Sequence, residues 1–316
     1  MNIVILDGYV VNPGDLDWSP IAALGNLTIY DRTRAEDIIH RSRDADVLIT
    51  NKGILSAEVL SELPNLKCIL LLATGYDNID IDACRNRGII VCNAVGYSSP
   101  SVAQHVFAYI LHSTNHIEQQ TTQVRNGGWS ESVDWSYSVN DLIELNGKTL
   151  GIYGFGRIGQ EVGKIASAFG MRILVNRRNP NPFEPYQVEY TNLETLFSQS
   201  DFITLHAPLS EANVGVVNHS LLKLMKQNAV LINTGRGGLI NERHLLQALN
   251  NDQIKAAYLD VLSVEPPPQD HILNSHKKCF ITPHQAWATK ESRQRLIEIV
   301  ASNLTNFRRG QPSNAV

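Results

Sequence analysis

The chain has 316 residues, of which 43% are hydrophobic and 18% charged, and its formal net charge is −4. A length of roughly two ordinary domains predicts two domains, and the composition is that of a globular protein with ample material for hydrophobic cores. The slightly acidic balance offers no basic field, so neither nucleic acid nor a membrane is predicted as a partner.

Cysteine usage and the N-terminal sequence indicate the cellular compartment. The four cysteines, Cys68, Cys84, Cys92 and Cys279, include no pair with metal-ligand spacing. We interpret them as small buried hydrophobic residues in a reducing compartment, and we predict no metal site. The chain begins directly with a strand-like run, without a signal-peptide pattern, and has no apolar run of membrane length. A cytoplasmic protein is therefore expected.

The N-terminal part alternates between short apolar strands and helical segments. Strands are predicted at 3–6, 27–30, 46–50, 68–72 and 89–92, and helices at 35–40, after Ser56 and at 79–87. Continuous apolar runs such as 68–72 are typical of buried parallel strands. The alternation predicts a doubly wound α/β domain.

A second α/β series follows a long helix that opens at Ser101. Between them, residues 119–140 are interpreted as a loop-rich excursion that carries Trp129 and Trp135. The series has predicted strands at 149–153, 173–175, 202–205, 229–233, 256–259 and 280–282, and helices at 160–169, 221–225 and 242–250. An amphipathic helix ends the chain.

Three glycines join the strand at 149–153 to the following helix in the order Gly154-x-Gly156-x-x-Gly159. Glycine permits a sharp turn with positive φ and lets a diphosphate approach bare backbone. The helix that follows presents its N–H groups and positive dipole end to such a ligand. A strand before the motif and a helix after it are the context that confirms a dinucleotide site. Arg157 and Ile158, within the motif, are included among the predicted cofactor contacts.

The next strand indicates which dinucleotide binds. An NAD site usually has an acidic residue at the end of this strand, which binds the ribose hydroxyls. Here the strand ends in Asn176, Arg177 and Arg178. Guanidinium groups suit a phosphate through charge-assisted, bidentate hydrogen bonds. The sequence therefore predicts a preference for NADP(H), while a solvated basic strand end, with Asn176 serving NAD(H), remains the alternative.

Six short segments in order resemble the D-isomer-specific 2-hydroxyacid dehydrogenases over nearly the whole chain. They are the glycine motif and residues 73–80 (ATGYDNID), 206–209 (HAPL), 233–238 (NTGRGG), 260–266 (DVLSVEP) and 282–284 (TPH). The runs 6–9 (LDGY) and 96–105 make the chain most similar to the glycerate dehydrogenase/hydroxypyruvate reductase group. The resemblance implies an NAD(P)-dependent oxidoreductase that acts on the CH–OH group of D-2-hydroxy acids.

The resemblance also implies a particular architecture. Two doubly wound parallel-sheet domains are expected: a flavodoxin-like substrate domain made of residues 1–99 and 286–316, and a Rossmann dinucleotide domain, 100–285, inserted into it. In this family the active site lies in the cleft between domains, where a hinge can close on the substrate. Members usually form homodimers through the dinucleotide domains, which suggests that the excursion reaches a neighbouring subunit.

Three residues match the catalytic group of the family. Arg236 matches the arginine that holds the substrate carboxylate near the keto oxygen. His284 matches the general acid/base, since an imidazole with an ordinary pKa of about 6.5 can both give and take a proton. Glu265 matches the carboxylate that pairs with this histidine, favours its protonated form and orients its ring.

The remaining expected contacts also follow from the resemblance. Thr74 and Gly75 match the loop whose backbone N–H groups bind the substrate carboxylate. The family pattern places three more residues at the cofactor: His206, Thr234 and, near the nicotinamide ring, Asp260. The expected substrate is a small 2-keto or 2-hydroxy acid of the hydroxypyruvate or glyoxylate type. Two alternatives stay open: a dehydrogenase for another 2-hydroxy acid, such as phosphoglycerate, and a dinucleotide-sensing regulatory protein on the same scaffold.

Overall fold

Two compact units make up the chain in the computed structural model, which describes residues 1–180 and 185–316. Met1–Ser98 and Trp287–Val316 form one of them, called here the discontinuous unit. Ser99–Ala286 form the other, called the inserted unit. Among the described residues, no helix has both the length and the apolar character needed to cross a membrane.

The discontinuous unit is built on a five-stranded parallel sheet. Its strands are β1 (Asn2–Ile5), β2 (Asn26–Ile29), β3 (Val47–Thr50), β4 (Cys68–Leu71) and β5 (Ile90–Cys92). Their spatial order is β2-β1-β3-β4-β5, and every pairing is parallel. This is the flavodoxin-like order. The helices that follow in sequence are α1 (Ser19–Ala22), α2 (Ile38–Ser42), α3 (Ala57–Ser61) and α4 (Ile81–Asn86).

The central strands of this unit are almost wholly apolar because both faces of the sheet are covered there, whereas the edge strand β2 is mostly exposed. Ile3 and Ile5 pack into the core on one face, and Val4 and Leu6 pack into the core on the other. All of β3 and β4 is buried. Helix α4 begins after Asp80, whose Oδ1 accepts a hydrogen bond from Ala83 N at 2.9 Å. Such a cap stabilises a helix by about 1 kcal/mol.

The inserted unit is built on a seven-stranded parallel sheet. Its strands are β6 (Thr149–Tyr153), β7 (Arg172–Asn176), β8 (Glu189–Tyr190), β9 (Phe202–Leu205), β10 (Val230–Asn233), β11 (Ala256–Leu259) and β12 (Cys279–Ile281). Their order is β12-β11-β10-β9-β6-β7-β8. This is the Rossmann order with one further strand, and the strand order reverses between β6 and β9. The helices are α5 (Ser99–Asn115), α6 (Ile117–Arg125), α7 (Arg157–Ala168), α8 (Leu193–Gln199), α9 (His219–Leu224) and α10 (Glu242–Asn250).

The last helix, α11 (Lys290–Arg308), returns to the discontinuous unit. It buries Leu296, Ile297, Val300 and Leu304 completely in the core that contains Ile3 and Ile5. Burying a side chain of this size contributes about 1.5–3 kcal/mol, so the four residues hold the C-terminal segment firmly to the first sheet.

The predicted fold class is confirmed: both units are α/β with wholly parallel sheets. The interpretation of 119–140 as loop is partly wrong, because α6 covers its first part. That helix buries no residue and has few apolar side chains, so it lacks the apolar periodicity from which a helix is predicted. Strand β8 and helix α8 were also missed by the sequence pattern.

Candidate active site

One edge of the inserted sheet collects the predicted site residues of this unit. Each follows the carboxyl end of a strand: Gly154 after β6, Asn176 at the end of β7, His206 after β9, Thr234 and Arg236 after β10, Asp260 and Glu265 after β11, and His284 after β12. Because every strand is parallel, these residues lie along the same edge. Ligands of open α/β sheets bind outside this edge, at the point where the strand order reverses.

The glycine turn between β6 and α7 fits a diphosphate. Gly154 has φ +91°, and a side chain there would collide with the backbone of Ala207 after β9. A side chain at Gly159 would collide with the carbonyl oxygen of Gly154. Gly156 is exposed, with no heavy atom within 4 Å of the position a Cβ would take. Two glycines thus shape the turn, and the third leaves open space beside the first N–H groups of α7, where Arg157 and Ile158 lie.

Two further cofactor candidates carry buried polar atoms without a protein partner. Within the described ranges, neither His206 Nδ1 nor Thr234 Oγ1 has a hydrogen-bond partner. The other ring nitrogen of His206, Nε2, lies 2.9 Å from Thr204 Oγ1, and burial lowers the pKa of His206 to about 3. Because buried polar atoms are rarely left unpaired, these two atoms fit contacts with a ligand that lies along the sheet edge.

The end of β7 carries the residues predicted to select the dinucleotide. Asn176 accepts a hydrogen bond from Gly154 N at 2.9 Å through its carbonyl oxygen and donates one to Thr191 O at 2.7 Å through its side chain. The strand end is therefore tied directly to the glycine turn. Arg177 is partly buried and Arg178 is exposed. Both directly follow Asn176, the residue whose carbonyl oxygen contacts the glycine turn.

Glu265 and His284 meet after neighbouring strands. Glu265 Oε2 lies 2.6 Å from His284 Nδ1, and Glu265 Oε1 accepts a hydrogen bond from Leu262 N at 3.0 Å. About one third of each side chain is exposed, 32% for Glu265 and 33% for His284. The pair is thus fixed on one side and open to solvent on the other. A histidine held in this way can exchange a proton with a bound substrate.

Asp260 lies beneath His284 and holds the loop that carries it. Asp260 is 2% exposed. Its Oδ1 accepts hydrogen bonds from Thr282 Oγ1 at 2.5 Å and from Gln285 N at 2.9 Å, and its Oδ2 accepts one from Ala286 N at 2.9 Å. Its own carbonyl oxygen accepts from His284 N at 2.8 Å. Both carboxylate oxygens are thus engaged by the chain, so the expected role beside the nicotinamide ring stays a prediction.

Arg236 follows β10 in a loop shaped by a buried asparagine. Asn233 donates a hydrogen bond to Arg236 O at 2.9 Å and accepts one from Gly235 N at 3.0 Å. The guanidinium donates to Gly235 O at 3.0 Å. In the part of the chain that the structure describes, no carboxylate forms an ion pair with Arg236, so its charge is available to an anionic ligand.

Thr74 and Gly75 belong to the discontinuous unit and follow β4. Thr74 Oγ1 donates a hydrogen bond to Ala94 O at 2.7 Å, and Asn93 Nδ2 donates to Thr74 O at 2.7 Å. These bonds tie the loop to the segment after β5. Within residues 1–180 and 185–316, no acceptor contacts the backbone N–H of Thr74 or Gly75. Both donors are thus available to a ligand, and their contact with the substrate carboxylate stays a prediction.

The sequence interpretation missed the residues of α5 that contact the His284 loop. His105 and Tyr109 both contact Thr282, at 3.2 and 2.5 Å. Their four-residue spacing was the available signal, but in a helix with an apolar face it indicates packing as readily as function. Across the described ranges, no group of three or more His, Cys, Asp or Glu residues could hold a metal ion.

Comparison with known proteins decides the family. The NAD-binding domain described as that of the D-isomer specific 2-hydroxyacid dehydrogenases matches residues 107–286, more than half of the chain. The chain belongs to this family. It is therefore an oxidoreductase of D-2-hydroxy acids, and its inserted unit binds a nicotinamide dinucleotide.

Individual relatives agree with this assignment. A hydroxypyruvate reductase from Blautia hydrogenotrophica is 44% identical over 320 residues, covering 100% of this chain and 99% of that protein. A glycerate dehydrogenase from Methylorubrum extorquens is 38% identical, covering 89% of this chain and 88% of that protein. Among solved structures, an acyclic imino acid reductase in complex with NADPH and D-Arg has a TM-score of 0.86 at 28% identity and covers 100% of both chains.

Proposed function

We propose that this dehydrogenase reduces a small 2-keto acid of the hydroxypyruvate or glyoxylate type, with NADPH as the preferred donor and NADH as a possible one. The observation that carries the proposal is the contact of 2.6 Å between His284 Nδ1 and Glu265 Oε2, at the same sheet edge as the guanidinium of Arg236, which has no carboxylate partner among the described residues. These groups supply a proton and bind an anion, which are the two tasks that keto-acid reduction leaves to the protein.

The cofactor supplies the hydride that reduces the keto carbon. The chain would hold its diphosphate at Gly154, Gly156 and Gly159, with the N–H groups of Arg157 and Ile158 opening the helix behind. The unpartnered polar atoms of His206 and Thr234 would contact it further along the sheet edge. Asn176, Arg177 and Arg178 would bind its adenosine ribose, where two guanidinium groups favour a 2′-phosphate.

Arg236 would bind the carboxylate of the substrate through its fork of N–H donors and place a positive charge near the keto oxygen. This charge is worth more as the oxygen becomes an alkoxide than in the ground state, so it lowers the barrier to reduction. The backbone N–H groups of Thr74 and Gly75 would bind the same carboxylate.

His284 would give its proton to the developing alkoxide during reduction and take it back from the hydroxyl group during oxidation. The contact with Glu265 occupies Nδ1, so the transferred proton is carried on Nε2. The carboxylate fixes the ring orientation and stabilises the protonated form that reduction consumes.

The substrate class follows from relatives. Hydroxypyruvate reductase and glycerate dehydrogenase, the names of two relatives, describe opposite directions of one interconversion, and both proteins align over most of their length. A keto acid with a short side chain is therefore the substrate we propose.

We also propose a homodimer formed through the inserted unit. Residues 117–142, called here the apolar excursion, expose large apolar side chains. These are Ile117, Val124, Trp129, Val133, Trp135, Tyr137, Val139 and Leu142. Exposed apolar surface, where it is extensive, marks interaction sites on soluble proteins, and the family usually forms dimers through this domain.

Oxidation of NADPH and of NADH, followed separately with hydroxypyruvate, glyoxylate, pyruvate, 2-ketoisocaproate and phosphohydroxypyruvate, tests the proposal. We expect the highest kcat/KM with NADPH and either hydroxypyruvate or glyoxylate. Equal or faster turnover with NADH would overturn the cofactor preference. Turnover with only one of the other acids, such as phosphohydroxypyruvate, would show that the enzyme acts on a different class of substrate. The absence of turnover with any acid would favour a dinucleotide sensor.

A further inference from the structure

We propose that helix α5 positions the catalytic histidine: Ser101, His105 and Tyr109 hold the two ends of segment 282–286, and Thr282 transmits their hold to Asp260 and His284. The inference rests on the proposed role of His284 as acid/base. It assigns a catalytic effect to residues outside the proposed substrate and cofactor contacts.

The three α5 residues lie four positions apart and therefore form one stripe on the helix. Ser101 Oγ donates a hydrogen bond to Ala286 O at 2.6 Å. His105 Nε2 lies 3.2 Å from Thr282 Oγ1, and Tyr109 OH lies 2.5 Å from the same oxygen. The stripe thus contacts the segment on both sides of His284.

The chemistry of the groups fixes the direction of these hydrogen bonds. A carboxylate only accepts, so the single hydroxyl proton of Thr282 goes to Asp260 Oδ1, at 2.5 Å. Thr282 Oγ1 must then accept from Tyr109 OH and from His105 Nε2–H. Burial raises the pKa of Tyr109. Burial lowers the pKa of His105, although the negative charge of Asp260 opposes that shift. Both are therefore neutral donors, and His105 has its proton on Nε2.

Asp260 converts this chain of hydrogen bonds into a restraint on His284. His284 has φ +49°, a left-handed backbone conformation that is unusual outside glycine and persists only where the surroundings enforce it. Asp260 enforces it from both sides: its carboxylate accepts from Gln285 N and Ala286 N, and its carbonyl oxygen accepts from His284 N. Thr282 is the one side chain that donates to this carboxylate in the described residues.

Loss of the Thr282 hydroxyl would leave Tyr109 OH and His105 Nε2–H without their acceptor and Asp260 without one donor. The segment would then sample other backbone conformations, and the imidazole would spend less time in line with the keto oxygen. Misplacement of a catalytic group by about 1 Å costs on the order of 100-fold in rate. The cofactor contacts after β6 and β7 belong to other loops and would not change.

The experiment compares Thr282→Val, Thr282→Ser and Tyr109→Phe, with Tyr258→Phe as a matched control. Tyr258 is 3% exposed, packs against Tyr109 with ring centroids 5.1 Å apart and has its hydroxyl 2.9 Å from His112 Nδ1. Its variant removes an equally buried hydroxyl from the same aromatic cluster without touching Thr282. We expect kcat to fall roughly 10- to 100-fold in T282V and several-fold in Y109F, with KM for NADPH within about 2-fold. T282S should restore most of kcat, and Y258F should retain it.

A double-mutant cycle with His284→Asn separates this inference from the proposed function. If Thr282 acts through His284, T282V should lower kcat no further in the H284N background. The same fractional loss in both backgrounds, or an unchanged kcat in T282V alone, would overturn the inference. Equal losses in T282V and Y258F would also overturn it, because they would show only a damaged core. Wild-type activity in H284N itself would instead refute the role of His284 as acid/base.

Discussion

Glu265 Oε2 and His284 Nδ1 lie 2.6 Å apart, although 19 residues separate them in the sequence. The two residues follow neighbouring strands, β11 and β12, whose parallel register brings the loops after them together. Each side chain is about one-third exposed. Exposed ion pairs add less than about 1 kcal/mol to stability, so the value of this contact lies in orienting the ring.

Replacement of Glu265 by Gln should therefore impair chemistry more than folding. The amide keeps the size of the side chain but removes the charge that favours a protonated imidazole. We expect kcat for keto-acid reduction to fall on the order of 100-fold, with KM for the cofactor little changed. Reduction needs the protonated imidazole, so the alkaline limb of its pH–rate profile should shift to lower pH when the negative charge that favours this form is removed.

Glu189→Gln provides the control for that variant. Glu189, on strand β8, forms a bidentate pair with Arg172, on strand β7 of the same sheet, at distances of 2.8 and 2.7 Å. Its replacement removes an equal charge from the inserted unit and should leave kcat and the pH profile unchanged. An E265Q enzyme whose pH–rate profile coincides with that of the wild type would contradict the pairing as a catalytic element.

Arg236→Lys should show whether the fork of the guanidinium matters. A lysine keeps the positive charge but loses the planar pair of donors that matches a carboxylate. We expect kcat/KM for the keto acid to fall roughly 100-fold or more, while the dissociation constant of NADPH, measured by fluorescence, stays within about 2-fold. Arg172→Lys is the control. Retention of most of the kcat/KM in R236K would mean that charge alone suffices at this position.

Sequence patterns predict the sheet edge well because single strands carry local signals. The runs at β6, β9 and β11 are short, apolar and bounded by polar or glycine residues, and each was predicted with the bounds that the structure has. The glycine motif identifies the turn after β6 by its spacing together with the strand before it and the helix after it. The start of helix α10 is predicted from its cap, Asn241, whose Oδ1 accepts a hydrogen bond from His244 N at 3.1 Å.

Contacts between distant strands cannot be predicted in the same way. The hydrogen bond from Thr282 to Asp260 spans 22 residues and exists because of the register of β11 and β12. Tyr109 reaches Thr282 from a helix 173 residues away in sequence. Neither contact leaves a pattern in the local sequence. The resemblance therefore predicts His284 as a site residue but does not show which residues hold it in place. Helix α6 was missed for the opposite reason, since it packs against no core.

Cofactor choice should depend on the end of β7. Arg178→Ala should raise KM for NADPH about 10- to 100-fold, since one hydrogen bond to a charged group contributes about 1.5–3 kcal/mol, and should leave KM for NADH nearly unchanged. Arg177→Asp should favour NADH, because a carboxylate just after the strand can bind ribose hydroxyls and repels a 2′-phosphate. Steady-state kinetics at saturating keto acid measure the ratio of KM for NADPH to KM for NADH. Equal effects of R178A on both cofactors would remove the basis for NADPH preference.

His206 should make the stability of the protein sensitive to acid. Burial lowers its pKa in the folded state to about 3, whereas an unfolded histidine titrates near pH 6.5. Between those values the unfolded state binds more protons, so the free energy of unfolding rises with pH by up to about 1.4 kcal/mol per unit. The contribution is present above about pH 6.5 and is lost progressively as the pH falls towards 3.

His206→Gln should remove the contribution of His206 to the rise of the unfolding free energy with pH. Urea unfolding of the cofactor-free protein at about pH 5, 5.5 and 6 should show a smaller rise of the unfolding free energy with pH in H206Q than in the wild type, by close to one proton. His40→Gln, at an exposed position, should leave the slope unchanged. A slope in H206Q equal to that of the wild type would show that this imidazole is not held neutral by burial.

The apolar excursion supplies the last prediction. Val133 is 101% exposed and Trp135 is 89% exposed, while the ring N–H of Trp129 donates to Trp135 O at 3.0 Å. A fully exposed valine packs against nothing in its own chain, so Val133→Asp should not destabilise a monomer. In a dimer formed through this surface it would bury a charge, at a cost of several kcal/mol. Sedimentation velocity should therefore show a dimeric wild type and a monomeric V133D, with Val10→Asp, at a 53% exposed position in the discontinuous unit, still dimeric. A V133D protein that remains dimeric would place the subunit interface elsewhere.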